Sequence, residues 1–283
     1  MATTLGGGPA GADAPERDVD TGSAKLRLRI AEDGVATLTF DDPENRNPLG
    51  YDLRPVFRRA VDLVAADDAV RCLVLTGAGR AFCAGGNAKA MATQEQPPLE
   101  ERIRAIRSES EAVAVLHEMP KPVVAALPGA AAGAGFAIAL AADVRIAAES
   151  AFLVAAFAKL GLPGDFGGSW LLTQLVGPAK AREIYFGGER LDARACLALG
   201  LFNRVVPDAE LQTAARAWAR ELAAGPPVAL RMMKANLNRA LHADLRTCIA
   251  EEAERQCWAA ETDDFREATR AFAEKRAPVF RGR

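Results

Sequence analysis

A chain of 283 residues, half of them hydrophobic, is long enough to bury one large core or two small ones. Its 35 basic and 37 acidic side chains leave a formal charge of -2, so no whole-protein field favours nucleic acid or an anionic membrane, and any anionic ligand must be held by local cations. Cys72, Cys83, Cys196, Cys248 and Cys257 are scattered and odd in number, and His117 and His242 are the only histidines. That pattern argues against a disulfide framework, a Ser-His-Asp constellation or a bound metal, and it fits a reducing cytoplasm.

In chain order, residues 1–23 are rich in Gly, Ala, Asp and Thr and have neither the basic nor the apolar part of a signal peptide. They are expected to form a disordered tail. Lys25 to Ile30 and Gly34 to Phe40 alternate around Glu32-Asp33-Gly34 and predict a strand hairpin. Helical spacing over Tyr51 to Ala66 and an apolar run at Val70 to Thr76 continue as a helix and a buried strand. Leu99 to Met119 predicts a helix, Val123 to Leu127 another buried strand, and the small residues near 134–142 a further helix. Val144 to Ala147 and Phe152 to Val154 read as strands, followed by helical patterns at 168–176, 179–186, 192–199, 209–224, 227–240 and 243–274. The class is α/β, a mainly parallel sheet wrapped by helices, with a β/α core over 24–205 and a C-terminal helical subdomain over 206–283. No apolar run reaches the ~18 residues of a membrane span.

Each of two buried strands runs into a glycine-bearing turn, Thr76 to Asn87 and Pro128 to Gly135, that opens into a helix. Small residues allow close approach to the backbone, and an N–H at a helix start points outward with the positive end of the dipole. Two such amides can converge on one oxygen; the alternatives are glycines that only pack, or a phosphate loop, although neither stretch completes G-x-G-x-x-G. Ala81-Phe82-Cys83-Ala84-Gly85-Gly86 resembles a hallmark of the crotonase (enoyl-CoA hydratase/isomerase) superfamily, and Ala132-Gly133-Ala134-Gly135 resembles that family's second oxyanion motif. Further segments are similar: Phe40 to Leu49, Lys159 to Gly168, and Ala271-Phe272-Ala273-Glu274-Lys275-Arg276.

The resemblance implies a ββα-superhelix core with a C-terminal helical trimerisation subdomain. It implies an acyl-CoA thioester as substrate, no cofactor beyond the coenzyme A that arrives with it, and a homotrimer or a dimer of trimers. Apolar Phe265, Phe272 and Phe280 suit such an assembly. The amides of Gly86 and Ala134 would form the oxyanion hole. Arg46, Asn47, Leu49, Ala84, Asn87 and Ala88 would lie along the CoA, Phe157 beside the acyl group, and Phe272 and Lys275 over the nucleotide.

Hydratases of the family use two glutamates, and their places fall here at Ala137 and Phe157. Asp165 remains, at a position where isomerising relatives carry an aspartate, and the surrounding Gly-Asp-x-Gly-Gly-Ser-Trp is closest to the epoxyphenylacetyl-CoA isomerase branch. The expected reaction is therefore a double-bond shift in which Asp165 passes a proton between Cγ and Cα of an enoyl-CoA. Alternatives are a hydratase or hydrolase that pairs Asp165 with water or with Glu95, and an inactive acyl-CoA-binding or assembly subunit. An N-cap role is the competing reading of Asp165, and packing that of Cys83.

Overall fold

The computed structural model describes residues 14–93, 95 and 97–283, without the side chains of Ala88 and Lys89. The chain opens on β1 (Glu16–Val19), followed by β2 (Leu26–Ala31) and β3 (Val35–Phe40), paired antiparallel with Glu16 opposite Ala31 and Leu26 opposite Phe40. The tail expected over 1–23 is thereby corrected, because residues 16–19 are an edge strand. Its charged side chains hid it from a hydropathy reading, and ion pairs Arg17–Asp67 (2.6 Å) and Asp18–Arg29 (3.0 Å) help to hold it. Residues 1–13 of that expectation lie outside the described residues.

The units that follow each carry strands and then a helix. They run α1 (Arg54–Ala66), β4 (Cys72–Gly77), β5 (Ala81–Cys83), α2 (Ala88–Thr93), α3 (Leu99–Glu118), β6 (Val123–Leu127), β7 (Ala130–Ala132), α4 (Ala134–Ala141), β8 (Val144–Ala148), β9 (Phe152–Val154) and α5 (Gly168–Gly187). β10 (Leu191–Asp192), α6 (Ala193–Ala198), β11 (Arg204–Val206), α7 (Leu211–Ala223), α8 (Pro227–Ala240), α9 (Leu245–Ala260) and α10 (Asp263–Glu274) complete the chain. One sheet has the order β1-β2-β3-β4-β6-β8-β11 and is parallel from β3 onward. Every residue of β4 and β6 is buried, as their unbroken apolar runs require of strands covered on both faces.

A second sheet, β10-β9-β7-β5, replaces the single sheet of the pattern reading. Its strands β5 and β7 lie inside the two glycine-bearing turns and pair in parallel, Ala81 with Ala130 and Cys83 with Ala131. Three residues are too few for a period of two to register, so only the pairing reveals them.

Two boundaries also move. α7 buries Leu211, Ala215, Ala219 and Ala223 against the main sheet, and so belongs to the core, not to a subdomain starting at 206. The helix expected over 243–274 is two, because Thr262 caps α10 by accepting from the Phe265 N–H (3.1 Å) and two acids, Asp263 and Asp264, open its first turn. α8 is pinned to the core by Lys234, whose buried Nζ donates to the carbonyls of Leu116 (3.0 Å) and Lys121 (3.1 Å) and pairs with Asp143 (2.8 Å). Beyond that pin α8, α9 and α10 expose Met233, Leu237, Leu245, Ile249, Trp258 and Phe272.

Candidate active site

The pairing of β5 with β7 sets their following turns against each other. At Gly85 (φ +79°) a Cβ would stand 2.5 Å from the Ala132 carbonyl oxygen and 3.3 Å from the Ala134 nitrogen, so glycine is required by both conformation and space. Gly135 likewise leaves α4 room to sit on the Cys83 backbone, 2.3 Å from where its Cβ would be. Neither the Gly86 N–H nor the Ala134 N–H enters a backbone hydrogen bond among the described residues. Ala134 is the first residue of α4, where an unspent N–H and the helix dipole favour negative charge.

The motif Phe40 to Leu49 acts as scaffolding for this turn. Asn47, buried and at φ +56°, donates from Nδ2 to the carbonyls of Ala78 (2.9 Å) and Ala81 (2.7 Å) and accepts the Asp42 N–H (2.8 Å). Its side chain is thus fully used inside the protein, which leaves only the backbone of this segment for the contact with CoA that the resemblance implies. Leu49 is also fully buried, and its N–H donates to the Gly85 carbonyl (2.7 Å), while the Arg46 carbonyl receives the Ala84 N–H (3.0 Å). The Arg46 side chain is exposed, and Ala84 is half-buried. Asn87 is exposed and caps α2, its Oδ1 accepting the Ala90 N–H (3.1 Å). Ala88 begins α2, and its side chain lies outside the description.

Asp165 precedes α5 in a loop where Gly164, Phe166 and Gly167 all take positive φ. The helix is capped by Gly167 with no side-chain bond, so the capping role does not apply to Asp165. Its Oδ1 is buried without a hydrogen-bond partner among the described residues. Burial holds its proton affinity above the ordinary aspartate value, with the Arg54 guanidinium pulling the other way. Arg54, at the start of α1, sits with Nη2 3.7 Å from where a Gly86 Cβ would be, and so links Asp165 to the first turn. Glu109 of α3 stands 3.8 Å from its Nη1. Neither Arg54 nor Glu109 was singled out in the sequence: an arginine and a glutamate on two amphipathic helices look like solvated faces until the helices pack.

Phe157 and Ala137, where hydratases place glutamates, line an aromatic wall. Phe157 stacks on Tyr185 (5.8 Å), Phe136 meets the same ring edge-on (6.3 Å), and Gly164 and Gly168 leave room for it. The Tyr185 hydroxyl is buried without a partner among the described residues, its proton affinity raised by burial and by Asp165. Tyr185 is a further residue that sequence reasoning missed.

The other candidates differ in setting. Glu95 is exposed. Cys83 is buried with its thiol pushed up to about 12 by desolvation, an unreactive state. His117 and His242 pack on the two sides of Trp170 (5.4 and 5.5 Å). Phe272, 88% exposed, and Lys275, exposed at the left-handed C-cap of α10, belong to the C-terminal surface of the single chain.

Residues 30–283 match the family profile described as enoyl-CoA hydratase/isomerase. The chain is 38% identical over 257 residues to the 1,2-epoxyphenylacetyl-CoA isomerase of Escherichia coli K12, covering 90% of this chain and 98% of that one. It is 33% identical over 248 residues to the short-chain-enoyl-CoA hydratase of Clostridium acetobutylicum, covering 87% and 93%. Among solved structures it superposes on an enoyl-CoA hydratase from Bacillus anthracis with a TM-score of 0.86 at 30% identity, covering 92% of this chain and all of the other.

Proposed function

The chain belongs to the enoyl-CoA hydratase/isomerase family of acyl-CoA enzymes, and from that premise we propose that it is an enoyl-CoA isomerase with Asp165 as its acid/base. The observation that carries this reading is the Asp165 carboxyl itself, whose Oδ1 is buried and unpartnered among the described residues, released from helix capping and coupled through Arg54 to the Gly86 turn. With a 3-enoyl-CoA, the Asp165 carboxylate takes a proton from Cα. The C–H electrons move into a dienolate whose negative charge rests on the thioester oxygen, and the same carboxyl returns the proton at Cγ, leaving the 2-enoyl product. The amides of Gly86 and Ala134 are the donors for that oxygen, and fixed donors of this kind are worth ~3 kcal/mol each because they need no reorganisation. A carboxyl whose proton affinity is raised by burial serves as base and then as acid nearer to neutral pH than a solvated aspartate.

A homotrimer is part of the same proposal. The exposed apolar side chains of α8, α9 and α10 support it, and in it Phe272 and Lys275 would reach the nucleotide of a neighbouring subunit. A hydratase is the second reading, favoured by the one other carboxyl placed on Arg54, that of Glu109. Mass spectrometry of products from a mixed enoyl-CoA panel in H₂¹⁸O separates the two, since only hydration adds solvent oxygen. Asp165→Asn is expected to abolish isomerisation while acyl-CoA binding persists; an isomerase that keeps its rate in this variant refutes the assignment.

A further inference from the structure

Arg54 occupies a place that ordinarily repels a cation, the first turn of a helix, where the dipole is positive. Its side chain is nevertheless only 4% exposed, its guanidinium lies over the Tyr51 ring at 4.8 Å, and its Nε has no hydrogen-bond partner among the described residues. One carboxyl stands beside it and a second feels its charge. Glu109 Oε2 lies 3.8 Å from Nη1, beyond hydrogen-bond reach, and is buried without a partner; Asp165 Oδ1 is buried without a partner as well. One cation shared by two poorly solvated carboxyls favours the ionised form of either only at the expense of the other.

We propose that Glu109, acting through the Arg54 guanidinium, is a positioning residue that decides whether Asp165 holds or releases its proton. When Glu109 is ionised it claims the guanidinium and leaves Asp165 among Phe157, Phe166 and Tyr185, where a proton is retained. When Glu109 is protonated or displaced, Arg54 stabilises the Asp165 carboxylate. No other group facing the pair competes near neutral pH. Cys83 of β5 and Tyr185 of α5, the titratable neighbours of Asp165, both have their protons held more tightly by burial. Arg54 is the one charged group acting appreciably on Glu109 among the described residues. On the helices packed around it, Arg58 of α1 is taken by Asp62 and by the Ser108 carbonyl, and Arg102 lies two turns away along α3.

The inference rests on Asp165 as the base, and the test separates the two. Full-length wild type, Glu109→Gln, Arg54→Gln and Asp165→Asn are compared for kcat and KM on 3-hexenoyl-CoA across pH 4–9, with circular dichroism to confirm folding. Glu109→Gln frees the guanidinium for Asp165, so the ascending limb of kcat moves about one pH unit lower with KM unchanged; Arg54→Gln moves it about one unit higher. Glu109→Asp, which keeps the charge, leaves the limb closer to wild type than Glu109→Gln does. A limb that stays in place in both neutral variants, or that moves the same way in both, overturns the proposal. Should Glu109→Gln fail to fold, the direction of shift in Arg54→Gln decides alone. Activity retained in Asp165→Asn would instead overturn the underlying assignment of the base.

Discussion

Gly85→Ala tests whether the contact between the two turns is what makes the site. The added Cβ would stand 2.5 Å from the Ala132 carbonyl oxygen, roughly 1 Å short of ordinary contact, and 3.3 Å from the Ala134 nitrogen. Gly85 cannot retreat, because its carbonyl is held by the Leu49 N–H at 2.7 Å and the neighbouring Ala84 N–H by the Arg46 carbonyl at 3.0 Å. The displacement therefore falls on Ala132 to Ala134, and a misplacement of about 1 Å at a reacting group typically costs on the order of 100-fold, ~2.7 kcal/mol of barrier. The left-handed backbone at position 85 adds ~1–2 kcal/mol of lost stability. Gly188→Ala, at the left-handed C-cap of α5, is the control, since it has a positive φ (+55°) while its Cβ would meet nothing nearer than 3.7 Å. Steady-state kinetics on enoyl-CoA substrates, with urea unfolding for both variants, should show a loss of stability in each but a kcat deficit about 100-fold in Gly85→Ala against less than tenfold in Gly188→Ala. Equal kcat values in the two variants would refute the reasoning.

Asn47→Ala leaves the carbonyls of Ala78 and Ala81 unpaired in a buried place and should cost about 2–4 kcal/mol in urea unfolding, with a further loss of kcat as the turn loosens; a change in KM alone would refute the scaffolding role of the side chain. Lys234→Met strands the Asp143 carboxylate and two carbonyls, so unfolding should lose about 3 kcal/mol or more, whereas a loss under 1 kcal/mol would make the pin dispensable. On the proposed mechanism the ionised form of Asp165 is the base, and its proton affinity is raised, so kcat should climb with pH through a midpoint above the ~3.9 of a free aspartate. The same shift has the opposite sign for stability: the protonated carboxyl favours the folded state, a contribution present below the unfolded value and lost as pH rises through the folded one. An ascending limb centred at or below 4 would exclude the desolvated carboxyl as its origin.

What sequence could deliver was set by the range of each signal. β4 and β6 were legible as unbroken apolar runs, and α1 and α3 as helices, because their periods repeat within one element. β5 and β7 were not, since three residues show no period and their pairing joins positions nearly fifty residues apart. β1 was hidden because an edge strand carrying Glu16, Arg17 and Asp18 needs no apolar face. At the site, the glycine turns could be read from local order and Asp165 singled out from the family resemblance, but Arg54, Glu109 and Tyr185 were reached by neither. Each is ordinary in its own helix and becomes special only when α1, α3 and α5 meet. Asn47 shows the converse, a motif residue whose side chain works to hold the turn.

The two halves of the site differ in how far sequence change can alter them. Donors supplied by the backbone of Gly86 and Ala134 depend on the close approach at Gly85 and Gly135, and any side chain there collides with main-chain atoms. Proton-moving groups are side chains, free to change or migrate as long as the volume beside the turns permits. Here that volume is taken: Ala137 is fully buried, a Cβ at Gly168 would come within 3.0 Å of the Ala137 side chain, and Tyr185 fills the space between Phe157, Phe136 and Gly164. Glutamates at 137 and 157 would have to displace a packed aromatic wall, not merely replace two apolar residues. The same apolar surroundings keep the proton affinity of Asp165 high. The apolar residues at 137 and 157 and the desolvation of Asp165 thus belong to one packing arrangement, built around Tyr185.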